Sequence, residues 1–404
     1  MELGWIDFSS TDRNIVMGVL DLLGEKGVLD ELGIAPIRDF YSELFFPGTS
    51  TVQTRAKYFL IVPYIFKDLE SSNQLDFFKL KKEFDSAEEN CAHIFLDKNP
   101  KENGVIGKRA ILNGRWVNRK PSSIYWAGLR EYGIVKYKLS IDDCIRRIIA
   151  QKKNKKRANL GNNIDKGEGI EDDKFALGDN NFNLFNIPTY NQNWIEELDI
   201  HLTYDEGQFL KNQIITNCSE SMFAYILKED LYEVLDCKSF MDLQSIIHKF
   251  PKNIQNDYFR ALSFSEFVFA LRVIYNVMIS NENNQKANEW LNTLDLKEIS
   301  NINLDEILSS GEIENKRLRR FLNESKDLMK NEDIEGLKEC VKSQEIYLKN
   351  NRAKSLHVGE FDYNVWFGGD VLNYRFQNAK AIIQDIYDSE NKSVEVIEDV
   401  ESEQ

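Results

Sequence analysis

Apolar residues recur at the spacing of α-helices along most of this chain. Residues 222–235 carry one apolar stripe of this kind. Ser263 and Glu266 have the spacing of a capping box ahead of another stripe. A 3.6-residue period buries one face of a helix and leaves the other in water. The pattern therefore predicts a largely helical protein.

The first half of the chain is also helical in pattern, but turns and one alternating run interrupt it. Pro121 begins a helical segment, and Gly133 stands where a glycine commonly follows a helix C-terminus. Residues 134–139 alternate like a β-strand. We therefore predict a mainly α protein with a small α+β N-terminal domain, a winged-helix-like unit near 121–139 and a C-terminal helical domain.

Composition sets the predicted domain boundaries. Residues 152–190 are rich in charge and glycine, which is typical of a mobile loop or linker. The predicted domains are therefore an N-terminal α+β domain over 1–151 and a helical domain over 191–388. Residues 389–404 hold six acids and one lysine, and we predict that they form an acidic disordered tail.

Positive charge is concentrated in one segment of an acidic chain. The net charge is −15, which argues against indiscriminate binding to phosphate or anionic membrane. Residues 101–157 nevertheless carry sixteen Lys or Arg against four acids. Aromatic residues such as Trp116 and Tyr132 are interleaved with them, so one interpretation is contact with nucleic acid. The alternatives are pairing with the acidic stretch 165–206 or with the acidic tail, a solvated face, and a protein interface.

Thirteen of these cations are the predicted nucleic-acid-binding residues. Some flank predicted turns where phosphate can approach, one lies on the predicted reading helix, and others form a mobile basic arm. The set is Lys108, Arg109, Arg115, Arg119, Lys120, Arg130, Arg146, Arg147, Lys152, Lys153, Lys155, Lys156 and Arg157.

The sequence lacks the common motifs of nucleotide-hydrolysing enzymes and nucleases. The glycine string at 104–109 is too short for a P-loop, and no histidine has a lysine two residues later, as a phospholipase-D-type nuclease needs. The Glu-x-Lys tripeptides at 314–316 and 324–326 suit solvated helix surface. Cys91 and His93 lack a second pair of metal ligands. We predict no catalysis, no cofactor and no metal, with a cryptic metal-dependent nuclease as an alternative.

Cysteine usage and apolar runs predict the compartment. The five cysteines are scattered and form no CxxC pair, which favours a reducing cytoplasm. The longest apolar run, at 58–66, is far shorter than the roughly 20 residues that span a bilayer. The N-terminus lacks the pattern of a signal peptide. We therefore predict a cytoplasmic protein with no membrane partner.

Several strings resemble a bacterial family of unknown function. They are LGWIDFS from Leu3, the segment 30–66 with its PGTSTVQTRAKYF motif, GVIGKR, PSSIYWAGLREYGI from Pro121 and NNRAKSL near the C-terminus. The resemblance implies a component of prokaryotic defence islands, encoded beside a helicase fused to a phospholipase-D-like nuclease, as in antiphage systems of the Azaca type. It implies partners and a setting, and it implies no catalytic residues.

Charge pattern and resemblance together predict the function. We expect a non-catalytic subunit of a bacterial antiphage defence system that binds DNA or positions the helicase–nuclease. A purely protein-binding scaffold without nucleic-acid contact is the first alternative, and the cryptic nuclease is the second.

Overall fold

The computed structural model describes residues 30–161, 183–358 and 360–402. Within these ranges the protein is mainly helical, with sixteen α-helices and no β-strand. The helical class that the apolar periodicity predicts is therefore confirmed. The chain divides into two compact units. Unit A comprises Tyr41–Asn256 and the chain from Asn373 onward, and unit B comprises Asp257–Leu372 and the chain up to Phe40.

Unit A contains helices α2 to α9 and α16, unit B contains α11 to α15, and α1 and α10 contribute residues to both. Short 3-10 helices lie at Tyr232–Asp236, Met241–Ser245, Ile247–Lys249, Asn350–Arg352 and Lys354–Leu356. In chain order the α-helices are α1 (Ala35–Phe45), α2 (Tyr58–Ser71), α3 (Phe77–Lys98), α4 (Lys108–Ile111), α5 (Pro121–Glu131), α6 (Ile141–Gly161), α7 (Trp194–Glu197), α8 (Tyr204–Asn217), α9 (Met222–Lys228), α10 (Lys252–Ile279), α11 (Gln285–Thr293), α12 (Leu296–Ile299), α13 (Leu304–Ser310), α14 (Lys316–Lys330), α15 (Ile334–Lys349) and α16 (Phe376–Ser402).

Helix α2 lies in the core of unit A. Its run from Tyr58 to Phe66 is buried at every position, and the helix packs against α3, α5 and α6. The helix continues through Pro63, although proline removes one backbone donor. Continuous burial explains why this run is apolar on all sides and shows no single stripe.

The predicted small α+β domain, with its winged-helix-like strand at 134–139, is wrong for the described residues. Ile134 and Val135 are buried side by side, and the next three residues are all exposed, so the side chains do not alternate between two faces. One isolated antiparallel bridge joins Val135 to Phe185. Two backbone hydrogen bonds, of 2.8 and 3.0 Å, flank this bridge and join the residues next to Val135 to those next to Phe185. The segment therefore forms a single rung and no wing.

The predicted helix ends have mixed outcomes. Gly133 follows the end of α5 with φ of +65°, as a C-terminal glycine should. The helix start predicted at Ser263 is wrong, because α10 begins at Lys252 and the Ser263 hydroxyl donates within the helix to the Phe259 carbonyl at 3.0 Å. A capping box is present instead at Thr203, at the start of α8.

Two segments predicted to be irregular overlap helices. Residues 152–161 of the predicted linker belong to α6. Residues 389–402 of the predicted tail belong to α16, which ends at Ser402. The remainder of the predicted linker is described only from residue 183. The predicted domain boundaries stay predictions.

Unit B has a small apolar cluster around α10. Phe269, Val273 and Val277 of this helix pack with Ala287 of α11 and with the partly buried Trp366. By length and composition, α10 is the one helix in the described ranges that can cross a membrane. Most of the apolar stretch of this helix is buried within the protein, so packing in the core accounts for its composition.

Candidate nucleic-acid interface

One face of α3 contacts the start of α6. Phe77 and Lys81 are four residues apart and therefore lie on the same side of α3. The Arg146 guanidinium lies over the Phe77 ring, 4.7 Å from its centroid, and Lys81 Nζ is 2.8 Å from Asp142 Oδ1. The first two turns of α6 are thus held against the first turns of α3.

The same face of α3 continues to the start of α5. Asp85 pairs with Lys120 at 2.6 Å, and Glu88 accepts hydrogen bonds from Ser122. At about 1.5 Å per residue, Phe77 and Glu88 are about 16 Å apart along the helix axis. The starts of α6 and α5 therefore lie beside each other along α3, and the short α4 also packs on α3.

Helix α6 presents a line of cations to solvent. Its apolar side, from Cys144 to Ile149, is buried in unit A. Arg146, Lys153 and Arg157 are exposed, and their spacing of seven and four residues places them on one side of the helix over about 16 Å. Arg146 has one loose ion pair, with Asp143 at 3.6 Å. Lys153 and Arg157 have no ion-pair partner among the described residues.

A second group of exposed cations lies on α4 and in the loop that joins it to α5. Arg109, Arg115 and Arg119 are exposed and form no ion pair within the described part of the chain. The Arg115 amide donates to the Ala110 carbonyl at 2.9 Å, which turns the loop back on α4. We define the basic strip as the two exposed cations of the loop between α4 and α5 together with the line of three on α6, namely Arg115, Arg119, Arg146, Lys153 and Arg157.

Other residues of the predicted set differ in their surroundings. Lys108 is turned inward and donates to the Glu102 carbonyl at 2.6 Å. Lys152 donates to the Gln74 carbonyl at 3.4 Å, and its partial burial lowers its pKa. Arg147 is half-buried. The structure therefore does not bring these three to the exposed strip.

Four predicted residues are exposed outside the strip, and the first of them is Arg109 on α4. Arg130 lies at the last turn of α5, on an outward face shared with Ser123 and Ala127. It is ten residues, or about 15 Å of helix, from Lys120. Lys155 and Lys156 are also exposed on α6, but they lie two residues and one residue before Arg157 and therefore point to other sides of the helix.

Sequence reasoning missed an aromatic side chain and a lysine on α3. Phe78 is 78% exposed, and Lys82, four residues later on the same face, is exposed without an ion-pair partner in the described ranges. The string FFKLKK at 77–82 was the available signal, an aromatic pair beside three lysines. It lies outside 101–157, where the excess of positive charge drew attention.

The described part of the acidic stretch pairs with residues outside the basic segment. Of the predicted stretch 165–206, residues 183–206 are described. Glu206 pairs with Lys57 at 2.6 Å, and Asp199 pairs with His201 at 2.5 Å. No ion pair joins the described part of the stretch to the basic segment.

The PGTSTVQTRAKYF motif, at 47–59, lies in a buried polar junction of unit A. Arg55 pairs with Asp385 of α16 at 2.8 Å and with Glu102 at 2.6 Å. Burial raises the pKa of Asp385, although the Arg55 charge opposes this effect. The Tyr125 hydroxyl accepts from the Thr54 and Arg55 amides. These charged groups pair with each other, so the junction holds chain segments together.

The described residues offer little for hydrolytic chemistry. Within them, no group of three or more His, Cys, Asp or Glu side chains can hold a metal ion. All five cysteines are free and buried, and burial raises the pKa of the Cys91 thiol. A buried thiol with a raised pKa is a weak nucleophile.

Comparison with known families gives one match. Residues 1–186 match the model of a family of unknown function, DUF6361. The match agrees with the resemblance to a family of unknown function. Comparison with curated proteins and with solved structures found no match.

Proposed function

We propose that this protein is a non-catalytic subunit that binds the nucleic-acid backbone along the basic strip. The observation that carries the proposal is the line of three exposed cations on α6. The line belongs to a chain whose net charge is −15, so its positive charge is concentrated locally and runs along one side of a helix. Phosphates along a strand present a row of negative charge that such a line can meet.

Magnitudes favour a ligand over a role in folding. Exposed ion pairs contribute about 0 to 1 kcal/mol each, and Lys153 and Arg157 lack even such a pair among the described residues. These side chains therefore add little to stability. Each phosphate that a cation neutralises releases counterions, and the affinity then depends on salt with a slope of roughly −0.9 per phosphate.

The resemblance supports a partner for this subunit. In an antiphage system, the chain would hold nucleic acid for the helicase fused to a phospholipase-D-like nuclease. The proposal includes a division of labour in which the partner performs hydrolysis. Nicking of a plasmid by the isolated chain in the presence of magnesium would contradict this division.

Binding as a function of salt tests the proposal. The dissociation constant for a fluorescent oligonucleotide is measured from low to moderate salt, for the wild type and for the triple variant Arg146→Ala, Lys153→Ala and Arg157→Ala. We expect the slope of log affinity against log salt to be smaller in magnitude for the variant by about 2 to 3, since three phosphate contacts are lost. A control that removes the same charge from α9, α10 and α14 is Lys228→Ala, Lys252→Ala and Lys330→Ala.

Two results would overturn the proposal. One is no binding of any oligonucleotide by the wild type at about 50 mM salt. The other is an equal fall in slope for both triple variants, because that would reflect net charge alone. Binding of the helicase–nuclease without nucleic-acid binding would instead support the protein-binding scaffold.

A further inference from the structure

We infer that the basic strip takes single-stranded nucleic acid, because Phe78 offers an unpaired base a stacking surface and adjoins Phe77, over whose ring the first cation of the α6 line lies. The inference rests on the proposed function, since the phosphates must first be held by the strip. It adds a ligand class, a strand with accessible bases, to a surface otherwise defined by charge alone.

The two aromatic rings at the start of α3 have different surroundings. The Phe77 and Phe78 ring centroids are 5.4 Å apart and their planes are inclined at 80°. Phe77 is half-buried, with the Arg146 guanidinium over its ring. Phe78 is 78% exposed, more than any other large apolar side chain among the described residues. Its ring is therefore open to a ligand.

Folding does not account for an aromatic residue at this position. The start of α3 is already capped, because the Asp76 carboxylate accepts a hydrogen bond from the Lys79 amide at 3.0 Å. Phe78 contacts the Phe77 ring and leaves most of its own surface in water. A single exposed apolar residue is common in proteins, so the neighbours of Phe78 must supply the argument.

Those neighbours include two cations that can hold phosphates near a stacked base. Lys82 lies one turn from Phe78 on the same face of α3 and has no ion-pair partner among the described residues. Arg146 lies over Phe77, the ring that Phe78 contacts. Aromatic rings between cations are the arrangement by which many proteins bind single strands without sequence preference.

A duplex cannot use this surface in the same way. Its bases are stacked on each other, so their faces are not available to Phe78, and only the cations remain to be contacted. An unpaired base gains the stacking as well, which corresponds to about five- to a hundredfold in affinity. The structure thus favours a single strand over a duplex of equal length.

The test compares the two ligands with two matched variants. Affinities for a labelled oligothymidylate and for a duplex of the same length are measured with wild-type protein, Phe78→Ala and Leu112→Ala. Leu112 is the control, because it is 72% exposed and also lies within unit A. Phe78→Trp is the conservative variant, since indole keeps a stacking face. Thermal unfolding confirms that each variant is folded.

We expect Phe78→Ala to weaken single-strand binding by roughly tenfold, to change duplex binding by less than about twofold, and to leave the salt slope unchanged. Phe78→Trp should keep the wild-type affinity, and Leu112→Ala should match the wild type. Equal loss on both ligands, or no loss on the single strand, overturns the inference while salt-dependent binding still supports the proposed function. If the wild type binds neither oligonucleotide, the proposed function itself fails. Capture of a protein partner through Phe78, with unchanged oligonucleotide binding, also overturns the inference.

Discussion

Glu88 of α3 accepts two hydrogen bonds from a single residue of α5, Ser122. The Ser122 amide donates to Oε1 at 2.6 Å and its hydroxyl donates to Oε2 at 3.0 Å. Both residues are buried. Because Ser122 lies in the first turn of α5, the carboxylate satisfies an amide that the helix itself leaves without a partner.

Glu88 should make stability depend on pH. Burial raises its pKa from an ordinary value of 4.5 to about 7, so the folded protein keeps a proton that the unfolded chain releases. The resulting stabilisation is complete below about pH 4.5 and is lost as the pH rises through about 7, by about 3 kcal/mol in all. We expect Glu88→Gln to remove this part of the decline. Urea unfolding between about pH 5 and pH 8 measures it.

The neighbouring, less buried Glu89 supplies the control for this experiment. Glu89→Gln should keep the wild-type dependence of the unfolding free energy on pH. Identical curves for the wild type and Glu88→Gln would show that Glu88 does not carry the effect.

Lys57 and Glu206 form a buried ion pair whose halves depend on each other. Lys57 Nζ lies 2.6 and 2.8 Å from the two carboxylate oxygens of Glu206. Lys57→Met leaves a buried carboxylate without its cation and should cost about 3 to 5 kcal/mol. Adding Glu206→Gln removes that charge and keeps a side chain that can serve the capping box with Thr203. The double variant should therefore be more stable than Lys57→Met in chemical denaturation, and an equal or larger loss would contradict this explanation.

Gly128 of α5 should resist substitution although it lies in a helix. A Cβ atom there would lie 2.4 Å from the Gly48 carbonyl oxygen and 2.8 Å from the Phe59 ring. The steric cost of about 1 to 3 kcal/mol opposes a gain in helix propensity of about 1 kcal/mol. We expect Gly128→Ala to lower the melting temperature. Ala127→Gly, on the exposed side of the same helix, should cost about 1 kcal/mol, and a melting temperature of Gly128→Ala above the wild type would refute the steric argument.

Tyr125 should be needed for its hydroxyl as well as for its ring. The Thr54 and Arg55 amides donate to this oxygen at 2.8 and 3.1 Å, and the hydroxyl donates to the Arg55 carbonyl at 2.8 Å. Tyr125→Phe leaves these backbone groups without a partner in the core, so we expect a loss of about 2 kcal/mol or more. Tyr225→Phe, whose hydroxyl donates to the Lys249 carbonyl near the surface, is the matched comparison. Equal losses for the two variants would argue against a special role for the junction.

Short sequence patterns predict structure that is decided locally. They fail where the role of a residue depends on contacts with residues far away in the sequence. Gly133 was identified correctly because a left-handed backbone at a helix end is a local requirement. Ser263 was misassigned because its spacing from an acid also suits the inside of a helix, where the hydroxyl has a backbone acceptor. The 134–139 run was misassigned because tertiary contacts decide which side chains are buried.

The candidate site was only partly predictable for the same reason. A count of charges along the chain identified the cations of α6. It could not show that Arg146 meets Phe77, since these residues are 69 positions apart and only the packing of α6 on α3 joins them. Nor could it separate Lys108 and Lys152, which bond to backbone carbonyls, from cations that face solvent.

The junction around Arg55 has a consequence for how relatives of this chain are compared. The motif at 47–59 contacts α16, Glu102 and α5, and its charged and polar groups there are paired within the protein. Sequence identity in this motif therefore indicates a shared architecture and gives no information about the ligand. If the proposed function holds, divergence of binding specificity among related chains should be sought at the positions equivalent to Phe78, Lys82, Lys153 and Arg157, whose exposed side chains contribute little to the fold.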